Sequence, residues 1–311
     1  MLKKLFLPVG IILAVMVAWV IPWPGRQLQQ LGIGSILVAG IFAINGWSVR
    51  WQSGAFDRRF PPVFLWSAVL TLAAGPLLGR LVGGMLFDAP LLILGITLMA
   101  ASPTMIASAI VTTEVAGGNT LWALFFTLGI NLTSIFTMPV MLKLCVNGLG
   151  QVTIDSGTLL FKLIVLMLVP FLAGAGLRRG FRKKIMPWWF GYLPSLAVIT
   201  IVYATMASAR EQLAGYSVDV LAKVAVAALL IHLILMGGLA ASGRRFFGLR
   251  PPENRALFFT GAQKSMVVGV SVLAALGGQY GAAAVVILAS YFVQLLFDAS
   301  LAAWLSGRKK N

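Results

Sequence analysis

Residues 258–269 read Phe-Phe-Thr-Gly-Ala-Gln-Lys-Ser-Met-Val-Val-Gly, and this stretch decides the fold. It belongs to an apolar run, yet Thr260, Gly261, Gln263, Lys264 and Ser265 fall together inside it. A run of this kind has the length to cross a ~30 Å hydrocarbon core as an α-helix. An ammonium at that depth is too far in to snorkel and is costly, and it marks a functional position by default. The stretch is therefore expected to be an interrupted membrane span, with a structural ion pair as the plain alternative.

A counterpart lies upstream. Residues 95–108 read Gly-Ile-Thr-Leu-Met-Ala-Ala-Ser-Pro-Thr-Met-Ile-Ala-Ser. Pro103 removes one backbone donor and clashes with the preceding turn, and Ser102, Thr104 and Ser108 are placed to satisfy the freed groups. A simple kink is the bland reading. The two interruptions together point to paired broken helices, whose exposed backbone and helix ends form the binding site of many transporters.

The whole chain agrees with a membrane setting. Of its 311 residues, 59% are hydrophobic and 10% charged, and mean hydropathy is +0.95, outside the range of soluble domains. The 24 Lys and Arg against 8 Asp and Glu give +16. In a soluble protein that excess would suggest nucleic acid; here cytoplasmic loops account for it. Cys145 is alone and cannot form an internal disulfide, and His232 is the only histidine, which argues against His-rich metal or proton-relay chemistry. Lys3 and Lys4 precede an apolar run, as in a signal peptide. That run, Leu5 to Ile21, is long for such a segment and ends in Pro22-Trp23-Pro24 without a small-residue cleavage site, so it is expected to be the first span.

Cuts at Pro, Gly and charge clusters give ten expected helices, over 5–22, 30–48, 61–80, 89–113, 119–142, 157–177, 189–209, 220–242, 256–278 and 281–305. Alternate connections then hold unequal charge. One side collects Lys3, Lys4, Arg50, Arg58, Arg59, Arg178, Arg179, Arg182, Lys183, Lys184, Arg244, Arg245, Arg250, Arg255, Arg308, Lys309 and Lys310. The other has Arg26, Arg80, Lys143, Lys162, Arg210 and Lys223. The bias places both termini in the cytoplasm and favours an even number of spans. The midpoint falls in the polar stretch Asn147 to Gly157, leaving five helices on each side. An odd number makes the second half (157–311) enter the membrane in the opposite sense from the first (1–156), the arrangement of inverted repeats.

Asp298 is the one acidic residue deep in a span, with Gln294 one turn earlier on its face. A buried carboxylate and a buried ammonium seek each other, so Lys264 and Asp298 are expected to interact directly or through water; the alternative puts Asp298 in solvent at the cytoplasmic interface. Asn131 and Thr127 share a face of the fifth span and either line the cavity or bond across to the fourth helix. His232 is expected to make a helix-to-helix hydrogen bond, and Glu114 to be solvated. The run Arg178 to Lys184 fits anionic headgroups, and Trp188 and Trp189 fit the interfacial belt.

Ten helices with both termini inside, a Pro-interrupted fourth span followed by Gly117-Gly118-Asn119, and Gly261-Ala-Gln-Lys-Ser265 in the ninth resemble the bile acid:sodium symporter family, in its divergent branch with a Lys-Ser pair in the ninth helix. The resemblance implies a core (61–142 and 220–305) that moves against a panel (5–48 and 157–209), with the fourth and ninth helices crossing at the cavity. In the better-studied branch, sodium is held near that crossing by a glutamate, a glutamine, a Ser-Asn pair and hydroxyls. Gln263, Ser108 and Thr127 match the glutamine, the serine and a hydroxyl. Phe259 stands in place of the glutamate, and Ala109 in place of the asparagine.

The expected function is a secondary transporter for a small organic anion or amphipathic metabolite in a bacterial inner membrane, since a lysine and a half-helix N-terminus both favour negative charge. Lys264 would replace the bound cation, with proton linkage through it. A sodium-coupled symporter of the same fold, or a transporter-like regulator of ion or precursor flux, are the alternatives. A membrane-embedded lipid enzyme is disfavoured, because no acid or histidine cluster serves it, and no P-loop is present. No organic cofactor or metal is called for.

Overall fold

The structure, a computed structural model, describes residues 2–48, 57–149, 154–180, 188–276 and 280–307. Arg50, Arg182, Lys183, Lys184, Arg308, Lys309 and Lys310 lie outside the described residues, as do residues 150–153 of the polar stretch around the midpoint. The side chains of Lys3, Lys4 and Trp188 are likewise not described. Among the described residues the secondary structure is entirely helical.

The helices are α1 (Leu2–Val20), α2 (Trp23–Gln30), α3 (Ile33–Ser48), α4 (Phe60–Leu86), α5 (Pro90–Ala101), α6 (Ile106–Val115) and α7 (Thr120–Val146). They continue with α8 (Ser156–Gly180), α9 (Leu193–Ala214), α10 (Val218–Arg245), α11 (Pro251–Ala262), α12 (Met266–Leu276) and α13 (Gly281–Gly307). By length and composition seven are able to cross a membrane: α4, α7, α8, the stretch Trp189–Glu211, α10, the stretch Pro251–Leu273 and α13. The Pro22-Trp23-Pro24 cluster follows the end of α1 at Val20, as expected, and also opens α2, which bends away by 104°. Counting that bent pair as one gives eight, and α3 and α5 are shorter apolar helices.

Two helices each contain one wide π turn, and both have the same local cause. In α4 the turn covers Leu70–Ala74, and the Gly75 N–H bonds to Leu70 O. In α8 it covers Ile164–Leu168, and the Val169 N–H bonds to Ile164 O. A proline follows directly in each case, Pro76 and Pro170. With no N–H at the proline, the regular ladder cannot close, and the preceding N–H reaches back five residues rather than four.

The chain divides into two units. The first comprises Met1–Gln52, Gly157–Gly215 and Val270–Val285. Its helices approach closely through glycine: a Cβ on Gly46 would lie 1.9 Å from Phe171 O, and one on Gly174 would lie 1.9 Å from Ala43 O. Small residues of this kind let membrane helices pack backbone to backbone. Tyr203 donates to Ile21 O at 2.7 Å and Arg178 to Trp47 O at 2.6 Å, so the ends of α1 and α3 are held by polar side chains from α9 and α8.

The second unit comprises Ser53–Ser156, Tyr216–Gly269 and Val286–Asn311. Its core is built on α11, the start of α12 and their neighbours, with Leu257, Phe259, Ala262 and Met266 fully buried. Asn119 caps α7, accepting from Leu121 N at 3.1 Å and Trp122 N at 3.2 Å. Gly117 ends α6 at φ 68°, the left-handed position that glycine fills without strain. Arg255 then donates to Ala116 O at 2.6 Å and satisfies a last carbonyl of α6. Glu114 is exposed, as expected.

Candidate functional site

The two interrupted stretches meet inside the second unit. Helix α5 ends at Ala101, and Ser102 turns to an extended backbone at φ −63° and ψ 141°. The helix resumes after Met105. In the other stretch, α11 ends at Ala262 and Gln263 is extended at φ −63° and ψ 140°, with α12 starting at Met266. Backbone joins backbone where they pass: Ser265 N donates to Pro103 O at 2.6 Å. Thr104 Oγ1 donates to Thr260 O close by. The breaks thus supply to each other hydrogen bonds that a continuous helix would have made internally, which a water-free interior requires.

Side chains from two further helices, α7 and α13, and from the two stretches themselves complete this lattice. Asn131 of α7 donates to Thr104 O at 2.8 Å and Thr127 O at 2.7 Å, so it bonds across to the broken stretch. Thr127 itself turns back to Leu124 O at 2.8 Å. Gln294 of α13 accepts from Lys264 N at 3.0 Å. Ser265 Oγ accepts from Val268 N at 3.3 Å and caps α12. Ser108 Oγ donates to Gln263 Oε1 at 2.9 Å, and Gln263 Nε2 lies 3.4 Å from Thr112 Oγ1. Ser102 and Thr260 bond within their own helices, to Leu98 O at 2.9 Å and Ala256 O at 2.7 Å.

Lys264 is 3% exposed and donates from Nζ to Thr71 O at 2.9 Å. That carbonyl is available because of the π turn in α4: its regular donor, the Gly75 N–H, has gone to Leu70 O, and Pro76 has none to give. Thr71 also donates through Oγ1 to Gly261 O at 3.0 Å, binding α4 to the end of α11. A Cβ on Gly75 would lie 2.9 Å from Ala100 O and 3.3 Å from Lys264 Nζ, so only glycine leaves room for the ammonium there. Thr71 was missing from the sequence reading. Its signal is Gly75-Pro76 inside an apolar span, which frees a carbonyl one turn back.

The expected direct pair between Lys264 and Asp298 does not form. Asp298 is fully buried rather than solvated at an interface, and its Oδ1 lies 2.8 Å from His232 Nε2. The imidazole, from α10, reaches the carboxylate on α13 and so takes the partner that charge alone had assigned to the lysine. His232 does make the helix-to-helix hydrogen bond expected of it, and its Nδ1 lies 3.3 Å from Ala262 O.

A multi-span helical chain in which buried polar groups gather where two interrupted helices meet belongs, by class, with membrane transporters rather than enzymes. More particularly, the chain belongs to the SBF-like CPA transporter family, whose model matches residues 6–306, so it falls in the bile acid:sodium symporter type. It is 25% identical over 314 residues to a probable chloroplastic sodium/metabolite cotransporter of Arabidopsis thaliana, covering 95% of this chain and 71% of the relative. It is 24% identical over 286 residues to sodium/bile acid cotransporter 7 of Rattus norvegicus, covering 87% and 82%. An uncharacterized protein of Pseudomonas aeruginosa is 27% identical over 223 residues, covering 68% and 62%.

Proposed function

We propose that this protein is a secondary transporter that moves a small organic anion or amphipathic metabolite by alternating access, with Lys264 standing in place of a bound cation. The observation that carries the reading is the Lys264 ammonium on Thr71 O at the meeting of the two breaks. When protonated, Lys264 does the work of a cation there, offsetting the carbonyl ends of α5 and α11. The N-terminal ends of α6 and α12 start from the same breaks and favour a negatively charged cargo.

In this reading α5 with α6 and α11 with α12 are each one discontinuous span. The chain then has ten spans in two inverted repeats, 1–156 and 157–311. A core (61–142 and 220–305) moves against a panel (5–48 and 157–209) in a bacterial inner membrane, with both termini cytoplasmic. Ser102, Pro103, Thr104, Ser108, Thr127, Asn131, Thr260, Gly261, Gln263, Lys264, Ser265, Gln294 and Asp298 make up the working region.

The printed names of the cotransporter relatives include sodium, so a sodium-coupled cycle is the second reading. The oxygens of Ser108, Gln263 and Thr112 favour it, since sodium is held by oxygen donors. The rest of the donor set fits poorly. Phe259, fully buried, replaces a carboxylate with a ring, and Lys264 adds a positive charge beside Gln263. A hard cation needs several oxygens and negative charge. Counterflow in proteoliposomes against a panel of organic anions, run in sodium and in potassium, tests both. Exchange that is equal in the two salts supports the first reading, exchange confined to sodium supports the second, and no exchange with any anion leaves a regulator of transporter fold.

A further inference from the structure

His232 and Asp298 face each other with neither side chain exposed, and each imidazole nitrogen faces an oxygen. Ala262 O only accepts, so the Nδ1 that faces it carries hydrogen. Nε2 lies 2.8 Å from Asp298 Oδ1, and a bare nitrogen against a carboxylate at that distance would oppose two lone pairs. A hydrogen therefore lies between them. Ala262 is the last residue of α11, and the carbonyl end of a helix favours a cation over a neutral ring.

We infer that His232 and Asp298 form a proton-binding couple, an imidazolium on a carboxylate, that takes up one proton in this conformation and releases it when the site opens to the other side of the membrane. The release step rests on the alternating-access reading above. The couple is neutral as loaded, which lowers the cost of burying it. The proton comes from bulk water on one side as hydronium, binds at Nε2, and returns to bulk water on the other; Asp298 stays a carboxylate and no other bond changes. Proton binding thereby gives the carrier a driving ion without a metal.

The surroundings support a proton site. A cavity of about 10 Å³ is lined by His232, Lys264, Ser290 and Gln294, its other walls being Ile96, Met99, Ala100, Ala228, Ile231 and Ala262. That is room on the order of one water molecule. Ser290 Oγ and Asp298 Oδ2 are buried without a hydrogen-bond partner, polar atoms that hydration of the couple would satisfy. Lys264 is the other charged group lining this cavity, and Phe297 packs edge-on to the imidazole at 5.7 Å. Tyr291, two turns back along α13, is an ionisable group on the same face.

The single histidine makes the test direct. In the full chain labelled with ¹⁵N-histidine in lipid bilayers at neutral pH, the wild type is expected to show both ring nitrogens protonated. Asp298→Asn is expected to show one protonated and one bare nitrogen. A bare nitrogen in the wild type overturns the couple, and that spectrum decides the point even where the variant fails to fold. With any anion that exchanges in the counterflow panel, an imposed pH gradient is expected to drive accumulation, and Asp298→Asn to lose that drive. Accumulation by the wild type that ignores the gradient overturns the coupling. Absence of exchange with every anion overturns the carrier reading alone and leaves the nitrogen spectrum to stand.

Discussion

The Lys264 ammonium has one carbonyl at 2.9 Å, and no carboxylate within ion-pair distance among the described residues. Two opposing terms follow from its removal. Lys264→Met relieves the desolvation of a buried charge, while leaving Thr71 O unpaired costs about 1–3 kcal/mol. The two offset, so the variant is expected to melt near the wild type while exchange is lost, as thermal unfolding and counterflow on the same preparation would reveal. Normal exchange by this variant would remove the lysine from the mechanism. Gly75→Ala acts differently: its methyl would press on Ala100 O at 2.9 Å, and overpacking of this kind costs about 1–3 kcal/mol. Its melting temperature is expected to fall, and an unchanged one would show that the site has slack. Asn131→Ala leaves Thr104 O without its donor and is expected to cost a similar 1–3 kcal/mol.

Helices here depend on where their ladders fail. Pro76 and Pro170 each open a π turn, and in α4 that turn delivers Thr71 O to the lysine. Pro76→Ala restores a donor and lets α4 close as a regular helix, which competes for the carbonyl. The expected result is a protein at least as stable but poorer in exchange; equal exchange would detach the π turn from the site. In the first unit, Gly46→Ala and Gly174→Ala each set a methyl 1.9 Å from a backbone oxygen. All three contacts are with backbone oxygens, and these two are much the shorter, so each is expected to lower the melting temperature by more than Gly75→Ala does. The breaks at Pro103 and Gln263–Ser265 were readable because proline and a cluster of polar residues stand out in apolar runs. The π turns were not read, because a Gly-Pro or Val-Pro step signals only a kink until the neighbouring helix claims the freed oxygen.

For the whole molecule, the buried Lys264 side chain and the fully buried Phe259 ring bear on which ion the proposed transport cycle uses. Purified protein is expected to melt at the same temperature in sodium as in potassium, since a ligand stabilises a fold in proportion to its occupancy. A clear upward shift in sodium would favour the sodium-coupled cycle instead. Polar positions inside two apolar runs were legible from Gly261-Ala-Gln-Lys-Ser265 and the Pro103 stretch, because those residues are intolerable in a plain lipid-facing helix; the family was legible only as a resemblance to a known motif. Partner choice was not. Lys264 and Asp298 were matched by sign, but sign carries no direction, and the packing of α10 against α13 put an imidazole within reach of the carboxylate first.

The sequence by itself determined that this chain is helical, is apolar enough for a membrane and carries polar clusters inside two apolar runs, since hydropathy and proline act locally along the chain. Only the tertiary structure decided that Ser265 N bonds to Pro103 O, that Thr71 O receives Lys264, and that Asp298 goes to His232. The physical reason is that in a water-free interior every donor and acceptor must find its match nearby, and which group is near depends on how residues distant in sequence are packed.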